Sequence, residues 1–122
     1  MGTPANLSGV ANGWRRVSVV TVTHHSAAVI EPCLRSVAEA AAIIVVDNAS
    51  EDRTLDLVRR AAPSAQIVAN RTGCGFGNGA NQGLAMVTTE FALLINPDAV
   101  LRPGAIEALL EAADRYPEAG ML

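Results

Sequence analysis

Two short runs constrain this chain most, Val17-Ser18-Val19-Val20-Thr21-Val22-Thr23 and Ile43-Ile44-Val45-Val46. Both are dominated by β-branched side chains, and neither carries a charge on either alternation. That is the signature of strands buried on both faces of a parallel sheet. Between them, residues 29 to 42 place Ile30, Leu34 and Val37 at helical spacing, with Pro32 where a first helical turn tolerates proline. A buried strand, a helix and a second buried strand make one βαβ unit, and the pattern continues. Ser50 is expected to cap a helix with Glu51 and Asp52 in its first turn, Leu55 and Val58 facing inward and Pro63 ending it. A short strand follows at Gln66 to Ala69, then the loop Asn70 to Gly77, and then a helix through Met86 or Val87. Phe91 to Ile95 reads as the last strand and residues 105 to 115 as the last helix, with Ile106, Leu109, Leu110 and Ala113 on one face.

Alternation of this kind predicts an α/β fold: a mostly parallel, Rossmann-like sheet with right-handed crossovers and helices on both faces. Residues 1 to 15, rich in Gly, Pro, Asn and Ser, are expected to be a flexible leader, and residues 16 to 122 the folded domain. Ala119-Gly120-Met121-Leu122 reads as the opening of a further strand, so the sheet is expected to be incomplete at the C-terminus.

Composition narrows the function classes. A chain of 122 residues that is 50% hydrophobic holds one modest core. Aromatic residues are only 3% of it, so it offers no stacking surface for single-stranded nucleic acid. The net charge of −3 and the scattered arginines give no DNA-binding footprint. No run approaches the roughly 20 apolar residues of a membrane span, and the N-terminus lacks the pattern of a signal peptide. Cys33 and Cys74 belong to no metal-binding spacing and read as reduced thiols of a cytoplasmic protein.

In open parallel sheets, ligands bind beyond the carboxyl ends of the strands. Three polar clusters fall there: Thr23-His24-His25, Asp47-Asn48, and Asn96-Pro97-Asp98. A carboxylate just past a rigid strand, with Asn96 two residues before it, suits a hard divalent cation that clamps phosphate oxygens. The plain alternative is that Asn96-Pro97-Asp98 is only a turn. Gly73, Gly75, Gly77, Gly79 and Gly83 would allow close approach of the backbone to an anion or a ribose at the start of the following helix. His24 and His25, on an extended segment, are expected to point to opposite faces and to serve packing or hydrogen bonding, not metal chelation. Phe76 is expected to anchor the glycine loop. Asp52 and Arg53 read as first-turn helix charges and no more.

Taken in order, Val17 to Ser26, Ile44 to Ser50, Asn70 through Gly77-Asn78-Gly79-Ala80-Asn81-Gln82-Gly83, and Leu94 to Asp98 resemble the family-two glycosyltransferases of the GT-A fold, most of all their rhamnosyltransferase-like branch. The resemblance covers roughly residues 16 to 122 and implies the donor-binding half of such an enzyme. It implies that Thr23, Asp47 and Asn48 hold the base and ribose of a nucleotide-diphosphate sugar. Arg71, Gly77 and Asn81 would line the same pocket. Asn96 would support the ribose or a metal-bound water, and Asp98 would bind Mg²⁺ or Mn²⁺ in place of the family's Asp-x-Asp pair. The implied reaction is inverting transfer from a UDP- or dTDP-linked sugar to a hydroxyl of a saccharide or lipid-linked acceptor, in cell-wall or surface polysaccharide synthesis. Any peripheral membrane association would come through further segments or partners. The family's general base lies in a later part of the domain, and no residue here fills that role. A non-catalytic nucleotide-binding domain is the alternative.

Overall fold

The computed structural model describes residues 13–122. Among them four strands alternate with four helices: β1 Val17–Thr23, α1 Ile30–Ser36, β2 Ala42–Asn48, α2 Thr54–Ala61, β3 Gln66–Asn70, α3 Gly75–Leu84, β4 Phe91–Leu94 and α4 Ala105–Arg115. The strands form one parallel sheet in the order β3-β2-β1-β4. The chain winds outward from β1 through β2 to β3, then returns to the other side of β1 for β4. The direction of winding therefore reverses between β1 and β4.

Strand periodicity sorts the core into two layers. Val17, Val19, Ile43 and Val45 face α1, α2 and α4, where Ile30, Leu34, Val58, Ile106 and Leu110 close over them. Val20, Val22, Ile44 and Val46 face the other way and meet Ala80 of α3, with Val68, Met86 and Val87 beside it. Three helices thus cover one face and one helix the other. The single helix lies unusually close. A Cβ on Gly79 would sit 2.9 Å from a Val22 methyl, and one on Gly83 would overlap Val20. Small residues four apart remove the side chains that would otherwise hold α3 off the sheet.

Several expectations change at the boundaries. Helix α1 ends at Ser36, well short of residue 42, because the Ala41 N–H is taken by the Trp14 and Val17 carbonyls at 3.2 and 3.0 Å. The Ser36 hydroxyl also donates to the Cys33 carbonyl and so competes with the helical ladder. Ser50 does not cap α2, which begins at Thr54. Asp52 lies ahead of that helix and accepts the Thr54 N–H and hydroxyl, so it ties down the entry and is not a first-turn charge. Helix α3 starts at Gly75, inside the stretch expected to be loop. Leu109 is exposed while Ile106 and Leu110 carry the buried face of α4. Of the expected leader, residues 1–12 lie outside the described residues, whereas Trp14 is 7% exposed and packs in the core. Residues 119–122 join no strand.

Candidate nucleotide site

The site is built where β1 and β2 end side by side. Their register pairs Thr23 with Asp47, and the Thr23 hydroxyl donates to the Asp47 carboxylate at 2.6 Å. Ser50 closes the other side, its hydroxyl donating at 2.6 Å and its N–H at 3.0 Å. Asp47 is only 1% exposed, and these three donors satisfy an anion that burial would otherwise penalise heavily. Ser50 also accepts the His25 N–H at 2.8 Å. The residue expected to be a helix cap instead ties together the turns that follow β1 and β2. Both turns contain a non-glycine residue in the left-handed region, His25 at φ 48° and Ala49 at φ 57°.

That backbone reversal overturns the expected placement of the histidines. With His25 out of the extended conformation, the two rings do not diverge but stack, with centroids 4.1 Å apart and planes 24° from parallel. His24 Nδ1 lies 2.6 Å from the Asn48 carbonyl oxygen. A carbonyl only accepts, so Nδ1 carries the proton, and in the neutral ring Nε2 is left as an acceptor.

A cavity of about 310 Å³ opens beside this turn, lined by Val22, Thr23, His24, Asn48, Gly73, Gly75 and Phe76. Its outer wall is the glycine loop, held by side-chain amides. Asn48 Nδ2 donates to the Gly75 carbonyl at 3.1 Å, while Asn48 Oδ1 accepts from Asn70 Nδ2 at 3.0 Å and from the Cys74 thiol at 3.2 Å. Asn70 and Gln82 exchange bonds of 2.8 and 3.1 Å. Phe76 does not anchor this loop. It is 52% exposed, because the first turn of α3 turns its ring outward at the mouth of the cavity.

Not every expected residue joins this cluster. Arg71 is exposed on the loop after β3, and Gly77 and Asn81 are exposed on α3. Asn96 and Asp98 lie across β1 from Asp47, past the end of β4. There the Asn96 carbonyl accepts the Ala99 N–H at 3.0 Å, closing a turn around Pro97 and Asp98. Asp98 is exposed on that turn, and Cys33 lies buried beneath it, its thiol 3.6 Å from the Asn96 carbonyl. Burial, with the Asp98 charge as a smaller contribution, pushes the Cys33 thiol up to about 11. It is a packing group and not a nucleophile. Both cysteines are free. Among the described residues no group of three or more His, Cys, Asp and Glu side chains clusters to hold a metal, and no helix is long and apolar enough to cross a membrane.

Ser50, Asn70 and Gln82 had no role in the site expected from the sequence, and His24 and Cys74 entered it only as members of the Thr23-His24-His25 cluster and the glycine loop. Their shared signal is that Asn48 and Asn70 each end a strand. Once β2 and β3 are aligned by their ends, the two asparagines pair in register.

The turn of the chain between β1 and β4 and the cavity at the carboxyl ends define an α/β domain with the GT-A, Rossmann-like fold and a candidate ligand site at the strand ends. The chain belongs to glycosyl transferase family 2, whose model matches residues 18–122. It is similar to N-acetylglucosaminyl-diphospho-decaprenol L-rhamnosyltransferase of Mycobacterium tuberculosis, with 29% identity over 119 residues that cover 85% of this chain and 39% of that protein. Solved structures share the fold. TarS 1-349 from S. aureus in complex with UDP superposes with a TM-score of 0.66 and 26% identity, over 84% of this chain and 32% of that one. Glucosyl-3-phosphoglycerate synthase from Mycobacterium tuberculosis in complex with Mn²⁺, UDP and glucosyl-3-phosphoglycerate gives 0.60 and 22%, over 72% and 35%. The chain thus spans about two fifths or less of the length of each of these relatives.

Proposed function

We propose that these residues form the donor-binding part of a metal-dependent, inverting glycosyltransferase that uses a UDP- or dTDP-linked sugar. The observation that carries this reading is the cavity between His24, Asn48 and the glycine loop, at the carboxyl ends of the strands in a fold whose UDP-bound relative is at 26% identity. Thr23 and Asn48 line it, and Asp47, buried outside the lining, acts by fixing the turn that carries Asn48 and Ser50. The exposed ring of Phe76 offers a face for the base, and Arg71, Gly77, Asn81 and Asn96, outside the cavity lining, are assigned by this reading to the ribose and phosphates.

Asp98 fits a hard cation. One exposed carboxylate, completed by diphosphate oxygens and water, is a donor set that Mg²⁺ and Mn²⁺ accept. A cation held there would offset the charge that develops on the leaving diphosphate. In the transfer, an acceptor hydroxyl oxygen bonds to the anomeric carbon from the side opposite the diphosphate. The bond from that carbon to the phosphate oxygen breaks, its electron pair leaving with the nucleotide. The hydroxyl proton must pass to a base, and no described residue is assigned that role.

The relative named for a decaprenol-linked substrate supports a lipid-linked acceptor and, with it, cell-wall or surface polysaccharide synthesis; an acceptor of that kind would call for a cytoplasmic site with peripheral membrane association.

The test is thermal unfolding. UDP with Mn²⁺ raises the melting temperature of the chain by several degrees, and Asp98→Ala keeps the nucleotide part while losing the part that requires Mn²⁺. An identical Mn²⁺-dependent rise in the variant would remove Asp98 from the metal site.

A further inference from the structure

Gln82 lines no part of the cavity. It lies on the exposed side of α3, two helical turns after Gly75. Yet the amide bonds around the cavity lead back to it. Gln82 Nε2 donates to Asn70 Oδ1 at 3.1 Å, Asn70 Nδ2 donates back to Gln82 Oε1 at 2.8 Å and onward to Asn48 Oδ1 at 3.0 Å, and Asn48 Nδ2 donates to the Gly75 carbonyl at 3.1 Å. Each step settles the next. A primary amide has two N–H groups and one oxygen, so once Gln82 claims one N–H and the oxygen of Asn70, the second Asn70 N–H is left for Asn48 Oδ1 at 3.0 Å, with the weaker Cys74 sulfur acceptor at 3.4 Å beside it. Asn48 is then held oxygen toward Asn70, leaving its own N–H groups for the Gly75 carbonyl on the cavity wall. The main-chain carbonyl of the same Asn48 accepts the His24 Nδ1–H on the opposite wall.

We infer that Gln82 is a positioning residue of the nucleotide pocket: through Asn70 and Asn48 it orients the glycine wall against the end of β1 before ligand arrives. The inference rests on the nucleotide-binding reading and adds to it a residue outside the contact surface. Without Gln82, Asn70 loses the partner that fixes its orientation and can turn its oxygen toward Asn48, so Asn48 Oδ1 keeps only the Cys74 thiol as a donor and the Gly73 to Phe76 wall is less firmly preset.

Gln82→Ala weakens UDP binding about tenfold by calorimetry, the scale of one hydrogen bond withdrawn from preorganisation, with little change in melting temperature because the residue is exposed. Gln82→Glu still accepts from Asn70 but no longer donates to it, and gives an intermediate affinity. Side-chain amide resonances of Asn48 shift and exchange faster in Gln82→Ala, which a helix-surface role alone would not produce. Unchanged UDP affinity, or an unmoved Asn48 amide signal, overturns the inference. Should the unaltered chain take up no UDP, the proposed function fails on that ground, and the Asn48 signal still decides whether Gln82 sets the wall.

Discussion

At the scale of single residues, the buried carboxylate of Asp47 organises the site. It stands among Thr23 and Ser50, accepts three hydrogen bonds and is shielded from solvent, so its charge is used to shape two turns. Asp47→Asn should therefore be more damaging than its size suggests. One side of the new amide presents N–H where the carboxylate accepted a donor, either the Ser50 N–H or the pair of hydroxyls, and a buried donor facing a donor costs about 1–3 kcal/mol. Urea unfolding checks this, with the midpoint falling and the slope unchanged. The position of Asp47 was legible from Val45-Val46-Asp47-Asn48, since a buried strand that ends in a carboxylate delivers it to a sheet edge. Its partners were not. Ser50 has the right type for a helix cap, and only the reversals at His25 and Ala49, which no residue type announces, turn it back toward β1.

At the scale of elements, all four strands and all four helices were legible, most of them from their apolar repeat; α3, whose buried face is Gly79, Ala80 and Gly83, has no such repeat and was placed only by its position between β3 and β4. The ends were less legible, for tertiary reasons. Helix α1 stops where Ala41 is captured by carbonyls of Trp14 and Val17, residues distant in sequence. At the amino ends of the strands, opposite the cavity, Arg16 clasps three elements together. It bonds Glu90 just before β4 and Asp114 on α4, and its guanidinium lies 5.1 Å from the centre of the Phe91 ring at the start of β4. Hydrogen bonds from Arg16 hold both carboxyls below their ordinary values of 4.5 and 3.8. Depressed values in the folded state mean that this contribution is complete above those ordinary values and is lost as pH falls through the depressed ones. Acid titration of the melting temperature should show the unaltered chain more stable than Arg16→Ala above about pH 5 and the two curves converging at the acid end. The exposure of all three side chains limits the size of the gap. Parallel curves would show that the clasp stabilises through packing on Phe91 alone.

At the scale of the whole molecule, the return of β4 to the far side of β1 makes the end of β1 the meeting point of every polar cluster. Parallel topology was legible from the alternation of elements, and the rule that ligands sit beyond strand carboxyl ends brought Thr23, Asp47 and Asn96 to one rim. Sequence spacing does not reveal strand order, and the order is what separates the Asn48 side of the rim from the Asp98 side. Among the described residues it also makes β4 an edge strand, with Leu94 41% exposed. The central claim is that the nucleotide enters between His24, Asn48 and the glycine loop. Backbone amide shifts followed during a UDP titration with Mn²⁺ test it most directly. The account predicts movement confined to Thr23 through Ser26, Asn48 through Ser50, Gly73 through Phe76 and the turn at Asp98, with Arg16, Glu90 and Asp114 still. Movement centred on Arg16, or none at saturating UDP, would contradict it.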